Sequence, residues 1–216
     1  ASHDLKAPIT NIEGLLTALG RRLPEAVRQA PPVPQLLQLM QGAVERFQRT
    51  IAQLTDLTRL QQAQQQPAES VDLAGLIEAV RLDLAPVLAA AGARVVVAVA
   101  DCPTVRFAPQ HLRSIIYNLL SNAVKYRHPD RPPVVQISCR PGADATVVLE
   151  VEDNGLGLSE GQQARLFGLF QRLHTHVEGT GVGLYMLKRI VDNAGGTIAV
   201  RSQLGLGTTF TITLPD

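Results

Sequence analysis

The chain has 216 residues, of which 45% are hydrophobic and 18% are charged, a balance typical of a folded globular protein. Twenty basic and 19 acidic side chains give a formal net charge of +1, so no global field favours nucleic acid or an acidic membrane. Arg94 ends the apolar run 84–93 before it could span a bilayer, and Cys102 and Cys139 are too few for a disulfide framework, which favours a reducing, cytoplasmic compartment.

The first 66 residues predict a helical hairpin. Apolar residues recur at alternating spacings of four and three in two seams, a pattern typical of bundle helices. The seams are Leu5, Ile9, Ile12, Leu16, Leu19 and Leu23, and then Leu36, Met40, Ala43, Phe47, Thr50, Leu54 and Leu57. Prolines within 30–34 separate the two helices. Two helices bury such seams poorly, so we expect a second copy to complete a four-helix bundle; a monomeric hairpin packed on the rest of the chain is the alternative.

A polar linker at 61–67 marks a boundary, and we expect domains at 1–66 and 67–216. Beyond the linker, short β-branched runs alternate with helical patterns. Strands are predicted at 95–99, 134–138, 146–152, 197–201 and 208–214, and helices at 72–90, 108–126 and 182–194. The glycine-punctuated stretch 153–181 is predicted to be a long functional loop.

The first candidate motif lies at the start of the first helix. His3 precedes Leu5 of the seam by two positions and faces outward, where an imidazole nitrogen can act as a nucleophile. Asp4 is placed to hold the ring in its attacking tautomer, and Lys6 is placed to neutralise an arriving phosphate. Pro8 bends the helix just past the histidine. By itself, this motif more often indicates a surface histidine at a frayed helix end.

The predicted helix 108–126 carries a polar stripe. Asn118, Asn122 and Lys125 fall at i, i+4 and i+7, opposite an apolar face. Two carboxamide oxygens and an ammonium group suit a hydrated magnesium–phosphate group, which prefers hard oxygen ligands. A solvated polar face is the alternative, although asparagine is a poor helix former.

Two glycine-rich stretches lie at the ends of the predicted loop. Asp153 follows a strand and is itself followed by Gly155 and Gly157, so the backbone can approach a ligand closely while the carboxylate accepts a hydrogen bond from a base. The segment 179–183 precedes a helix, whose N-terminal N–H groups favour phosphate. Taken singly, a tight turn and a flexible hinge also explain these stretches.

In their order and spacing, these stretches resemble the transmitter region of the sensor histidine kinases of two-component systems. The H, N, G1, F and G2 boxes of that family are similar to His3–Pro8, Asn118–Tyr126, Asp153–Gly157, Phe167–Arg172 and Gly179–Leu184. Arg172-Leu173-His174 and Glu178 are most similar to the phytochrome-like branch. The resemblance implies an α+β fold, in which an antiparallel helical hairpin forms a dimeric four-helix bundle and is followed by a two-layer α/β sandwich of the Bergerat type.

The same resemblance implies a protein histidine kinase that uses ATP and Mg²⁺. His3 would accept the γ-phosphoryl group with Asp4 as base or ring orienter, and Asn122 would coordinate Mg²⁺. The nucleotide-binding residues implied are Asn118, Asn122, Lys125, Tyr126, Asp153, Gly155, Gly157, Arg172, Gly179, Thr180, Gly181, Gly183 and Leu184. Within this set Tyr126 and Asp153 would meet the adenine, and Arg172 the γ-phosphate.

The implied partners are a second copy of the chain and the receiver domain of a response regulator, whose aspartate takes the phosphoryl group. The chain begins with Ala1 and has no signal peptide at this end, so we expect an excised fragment whose upstream sensor domain is missing. Two alternatives to the kinase stay open: a degenerate kinase acting as a nucleotide-sensing dimeric scaffold, and a Bergerat-fold ATPase that couples nucleotide binding to dimer clamping.

Ala7 departs from the family pattern. The position four after the histidine is often threonine or asparagine, which orients water against the phosphorylated partner. Ala7 has only a methyl group. Phosphatase activity toward the partner is therefore in doubt, whereas the kinase and phosphotransfer roles are unaffected.

Overall fold

The computed structural model describes residues 2–45, 67–169, 171 and 181–215, with side chains from residue 8 onward. The chain separates into two compact units, residues 1–62 and 63–216. None of the helices in these described ranges is long and apolar enough to cross a membrane.

The first unit is helical, as predicted. It contains α1 (Ser2–Arg22), α2 (Glu25–Gln29) and, in its described part, α3 (33–45). The break differs from the prediction, because α1 ends before Pro24 and the short helix α2 lies between α1 and the predicted break at 30–34. α3 begins inside the predicted break, since Pro34 lies in its first turn, where no N–H donor is required. The second-seam residues Phe47, Thr50, Leu54 and Leu57 lie outside the described residues.

The second unit contains two sheets in its described residues. β1 (Glu69–Asp72) pairs antiparallel with β3 (Thr104–Phe107), and a five-stranded sheet has the order β2-β4-β5-β7-β6. Its strands are β2 (Arg94–Ala98), β4 (Val134–Pro141), β5 (Thr146–Asp153), β6 (Thr197–Gln203) and β7 (Gly207–Pro215). β2 runs parallel to β4, and the other neighbours are antiparallel.

The described part of this unit also contains five helices: α4 (Leu73–Asp83), α5 (Ala85–Ala91), α6 (Pro109–Lys125), α7 (Glu160–Gln163) and α8 (Gly183–Asn193). The core is formed by apolar side chains from α4, α6, α8 and the large sheet. Its fully buried members include Ile77, Ile115, Ile116, Leu187, Ile137, Leu149 and Ile212. The predicted α/β sandwich is therefore confirmed.

The structure corrects three details of this unit. The predicted helix 72–90 is two helices, because Pro86 in the first turn of α5 has no N–H with which to continue α4. The four-residue strands β1 and β3 were not predicted. The predicted loop 153–181 contains α7, which begins at a capping box in which Ser159 and Gln162 exchange side-chain and backbone hydrogen bonds.

Candidate functional site

A cavity of about 350 Å³ lies in the second unit, between α6, the turn after β5 and the start of α8. Nine residues singled out from the sequence line it: Asn118, Asn122, Lys125, Tyr126, Asp153, Gly157, Gly181, Gly183 and Leu184. They come from three separate stretches of the chain. The fold therefore brings the predicted polar stripe, the acid at the strand end and the second glycine-rich stretch to one place.

α6 presents the polar stripe because its opposite face is buried. Ile115, Ile116, Leu119 and Leu120 on that face are at most 2% exposed. Asn118 is oriented by its own helix, since its Nδ2 donates to the Ser114 carbonyl at 2.8 Å. A Cβ at Gly183 would lie 2.6 Å from Asn118 Oδ1, so a larger first residue of α8 would displace the Asn118 carboxamide.

The end of α6 is tied to the turn after β5. The Leu156 N–H donates to the Tyr126 carbonyl at 3.0 Å, and a Cβ at Gly155 would lie 2.6 Å from the same oxygen. Gly155 does not line the cavity; it allows the turn to pack against the helix end. Lys125 Nζ lies 5.3 Å from the centroid of the Tyr126 ring, within cation–π range, so a cation and an aromatic face lie side by side at the cavity.

Asp153 ends β5 opposite Thr208 of β7. The Gly155 N–H donates to Asp153 Oδ1 at 2.8 Å. Burial raises the pKa of Asp153 to about 6, against the opposing effect of backbone hydrogen bonds from Gly155 and Thr208. The carboxylate is thus mostly ionised at neutral pH, but at a desolvation cost that a hydrogen-bond donor from a ligand would offset.

The β6–β7 hairpin packs against the turn that follows β5. Gly157 has a φ of +66°, and a Cβ there would lie 1.9 Å from the Gln203 carbonyl oxygen, so only glycine fits. The Gly205 N–H donates to the Leu156 carbonyl at 2.8 Å, and the Leu158 N–H donates to Ser202 Oγ at 2.8 Å. The turn and the hairpin form one hydrogen-bonded structure.

Sequence reasoning missed six lining residues: Ser121, Leu158, Leu166, Gln171, Thr208 and Phe210. Thr208 and Phe210 reach the cavity from β7, at alternate positions that share one face of the strand. The alternation was visible in the sequence, but the pairing of β7 with β5 joins segments more than 50 residues apart along the chain. That pairing has no local signal.

Besides Gly155, which packs behind the cavity wall against the end of α6, five predicted site residues are not among those that line this cavity in the described structure. Arg172, Gly179 and Thr180 lie outside the described residues. His3 and Asp4 belong to α1 of the first unit, and their side chains are likewise outside the described part.

Two family models match the chain. The model described as "Histidine kinase-, DNA gyrase B-, and HSP90-like ATPase" matches residues 108–216, and the "His Kinase A (phospho-acceptor) domain" matches residues 1–63. The chain belongs to the sensor histidine kinases. The predicted family is thus confirmed, with a phosphoacceptor region followed by an ATPase region in this histidine kinase.

Relatives of this chain include a phytochrome-like protein and a histidine kinase of another kind. The chain is 30% identical to the methanogenesis regulatory histidine kinase FilI of Methanothrix harundinacea over 215 residues, which cover 99% of this chain and 24% of FilI. It is 28% identical to the phytochrome-like protein Cph1 of Synechocystis over 217 residues, which cover 100% of this chain and 28% of Cph1. The chain thus spans about a quarter of the length of these relatives.

A solved structure shows the same fold. The full-length kinase ShkA, crystallised in complex with AMPPNP, matches 99% of this histidine kinase chain and 44% of its own chain, with a TM-score of 0.71 and 23% identity. The ATPase family model supports ATP binding.

Replacing Asp153 by Asn is expected to stabilise the nucleotide-free protein above pH 6 and to leave its stability unchanged below about pH 4. The folded-state pKa of Asp153 is about 6, above the ordinary value of 3.8, so the protonated carboxyl favours the folded state. This contribution to the stability of the parent is lost as pH rises through 6, whereas Asn does not ionise. The difference at pH 7.5 is at most about 3 kcal/mol, and calorimetric unfolding at pH 4 and pH 7.5 measures it. A variant less stable than the parent at pH 7.5 would contradict the burial argument.

Proposed function

We propose that this chain is the catalytic core of a two-component sensor histidine kinase, which binds Mg-ATP in the cavity, phosphorylates itself on His3 and passes the phosphoryl group to a response-regulator aspartate. One observation carries the proposal: Asn118, Asn122, Lys125 and Asp153 line one cavity. The chain that holds this cavity also carries His3 inside the matched phosphoacceptor segment, residues 1–63.

The two ends of the cavity suit the two ends of a nucleotide. Asp153 offers a carboxylate for the adenine amino group, and Tyr126, which lines the same cavity, offers a ring for an aromatic contact with the base. At the other end, Asn118 adjoins Gly183 at the N-terminus of α8, where backbone N–H groups and the helix dipole favour an anion. Lys125, at the end of α6, supplies a cation to the same cavity. In the proposal the polyphosphate lies along α6 toward Gly183. Arg172, Gly179 and Thr180 belong to the same nucleotide site in the proposal.

The described residues fit a magnesium ion carried by the nucleotide. Among them, no group of three or more His, Cys, Asp or Glu side chains could hold a metal ion. Asn122 offers a carboxamide oxygen, which suits an ion that keeps water and phosphate oxygens as its other ligands. When bound, Mg²⁺ neutralises charge on the transferring phosphate.

The proposed transfer needs only groups that this chain and its substrate supply. An imidazole nitrogen of His3 attacks the γ-phosphorus, and the bond from that phosphorus to the β–γ bridging oxygen breaks, which releases ADP. Asp4 holds the ring in the attacking tautomer and takes up the imidazole proton. In the second step the regulator's aspartate carboxylate attacks the same phosphorus and His3 leaves. This assigns phosphotransfer and dimerisation to residues 1–66 and catalysis to 67–216, both in the cytoplasm, where ATP is available.

An exposed apolar face on the first unit supports the proposed homodimer. Ile9 and Leu16 of the predicted seam are buried within the chain, whereas Ile12 and Leu19 are 47% and 46% exposed. Large apolar side chains of α1 and α3 that remain exposed are Ile12, Leu15, Leu19, Leu36, Leu39 and Met40. A second copy would cover this face, as the four-helix arrangement requires.

The double substitution of Ile12 and Leu19 by Glu is therefore expected to convert the dimer to a monomer with a folded nucleotide domain, because unpaired negative charges cannot be buried at this face without a large cost. Sedimentation equilibrium measures the mass of the assembly, and ADP binding shows whether the nucleotide domain is folded. Thr10→Glu is the control, since Thr10 is exposed two positions away from Ile12 on α1. A double variant that remains dimeric would place the interface elsewhere.

The parent is expected to accelerate dephosphorylation of its phosphorylated regulator little or not at all. Ala7 lies four residues after His3 on α1, where a water would have to be held, and it has no side-chain hydrogen-bonding atom. Ala7→Thr is expected to raise this activity. The measurement mixes labelled phosphorylated regulator, freed of ATP, with either the parent or the variant and compares the rates at which the regulator loses its label. Rapid loss with the parent would show that another group positions the water.

A further inference from the structure

Arg131, in the loop before β4, lies between two turns of the second unit. Its Nε donates to the Asn154 carbonyl at 2.8 Å. Its Nη2 donates to the carbonyls of Gly155 at 3.1 Å, Gly205 at 2.6 Å and Leu206 at 3.2 Å. One guanidinium group thus joins the turn after Asp153 to the tip of the β6–β7 hairpin.

The peptide between Asn154 and Gly155 links this cation to the acid of the cavity. Its carbonyl accepts from Arg131 Nε at 2.8 Å, while its N–H donates to Asp153 Oδ1 at 2.8 Å. A cation, a peptide dipole and a carboxylate are therefore connected in series. Such a chain polarises each hydrogen bond and favours the ionised carboxylate.

Among the described residues, the strand neighbours of Asp153 do not supply this link. Glu152 on the same strand is an acid that opposes ionisation, and β4 and β7 pair Asp153 with Val135 and Thr208, which do not titrate in this range. Lys125 and Tyr126 reach the same cavity from the end of α6, with Lys125 Nζ over the Tyr126 ring.

We infer that Arg131 is a positioning residue for adenine recognition: through the Asn154–Gly155 peptide it holds the Asp153 carboxylate ionised and in one orientation. The inference rests on the proposed function, in which Asp153 meets the adenine amino group. Arg131 itself does not line the cavity, so it acts through Asp153 and not on the nucleotide. Its nearness lowers the pKa of Asp153, in agreement with the geometry.

The test compares two variants. Arg131→Gln keeps hydrogen-bond donors but loses the charge, and Arg131→Lys keeps the charge but replaces the planar guanidinium by an ammonium group. Arg140→Gln is the matched control, because the Arg140 side chain is 59% exposed and forms a 4.0 Å ion pair with Glu150. The first readout is the NMR titration of the Asp153 carboxyl carbon in the nucleotide-free chain. Its midpoint is expected to move to higher pH in Arg131→Gln, less in Arg131→Lys, and not in the control.

The second readout is the dissociation constant for ADP between pH 5 and pH 8. It is expressed at each pH as the ratio of the variant's value to the parent's, because the titration of ADP itself then cancels. Arg131→Gln is expected to weaken ADP roughly three- to tenfold at pH 7, the scale of a weakened hydrogen bond to a charged group. Inorganic tripolyphosphate, which has no base, should bind parent and variant alike. Equal losses for ADP and tripolyphosphate would show general damage and overturn the inference.

An unchanged Asp153 titration in Arg131→Gln would also overturn it. Should the Gln variant not fold, the Lys variant decides alone: a midpoint identical to the parent's, together with weaker ADP binding, would contradict the link through Asp153. If Asp153→Asn leaves ADP affinity unchanged, the proposed adenine contact is wrong. The carboxyl titration distinguishes that failure, because it needs no nucleotide.

Discussion

Replacing His3 by Gln is expected to abolish transfer of label from γ-labelled ATP to the chain while leaving ADP affinity unchanged. The glutamine amide nitrogen is not a nucleophile, so no phosphorus–nitrogen bond can form at this position. The described cavity lies entirely within the second unit, between residues 118 and 210, and His3 belongs to the first. This variant should therefore lose phosphoryl transfer and retain nucleotide binding.

His128→Gln serves as the matched control for this experiment. His128 is a partly buried histidine in the second unit, whose Nδ1 accepts a hydrogen bond from the Asp130 N–H. This variant should be labelled like the parent, as measured by gel autoradiography under alkaline conditions. Label on His3→Gln at the parent's level would show that another side chain is the acceptor.

Replacing Asn122 by Ala is expected to eliminate both autophosphorylation and the increase in nucleotide affinity that Mg²⁺ gives the parent. A methyl group offers the ion no oxygen ligand, and the described residues contain no cluster of His, Cys, Asp or Glu to replace it. ADP titrations by calorimetry, with Mg²⁺ and with a chelator, measure the effect. The variant should show equal affinities in the two conditions.

Ser121→Ala is the control for Asn122, because Ser121 precedes it on α6 and lines the same cavity. Its Oγ donates to the Asn118 carbonyl at 3.2 Å and is committed to the helix. This control should retain the Mg²⁺ dependence. A persistent Mg²⁺ effect in Asn122→Ala would show that Asn122 is not the ligand of the Mg²⁺ ion.

The parts of the site carried by local patterns were predictable from sequence. The stripe of Asn118, Asn122 and Lys125 follows from helical periodicity alone, because the apolar residues on the opposite face determine which side of α6 is buried. Asp153 was predictable because a β-branched run ends at a glycine turn, a signal contained within ten residues. The resemblance then assigned roles that these patterns by themselves left open.

The remaining parts depend on contacts between distant segments. Thr208 and Phe210 enter the cavity only because β7 pairs with β5, and Arg131 matters only because the hairpin tip at Gly205 returns to the turn after Asp153. Neither pairing has a sequence signal of its own. In the first unit, a 4-3 seam does not distinguish side chains that meet within one chain, such as Ile9, from those left for a second copy.

The central claim is that this chain moves the γ-phosphoryl group of ATP to His3. The most direct measurement is to incubate the full chain with γ-labelled ATP and Mg²⁺, test the acid and alkali stability of the label, and map it by mass spectrometry. We expect an acid-labile, alkali-stable phosphoryl group on the peptide that contains His3. Release of inorganic phosphate with no protein-bound label would indicate an ATPase, and nucleotide binding with neither product would indicate a scaffold; either result would contradict the kinase assignment.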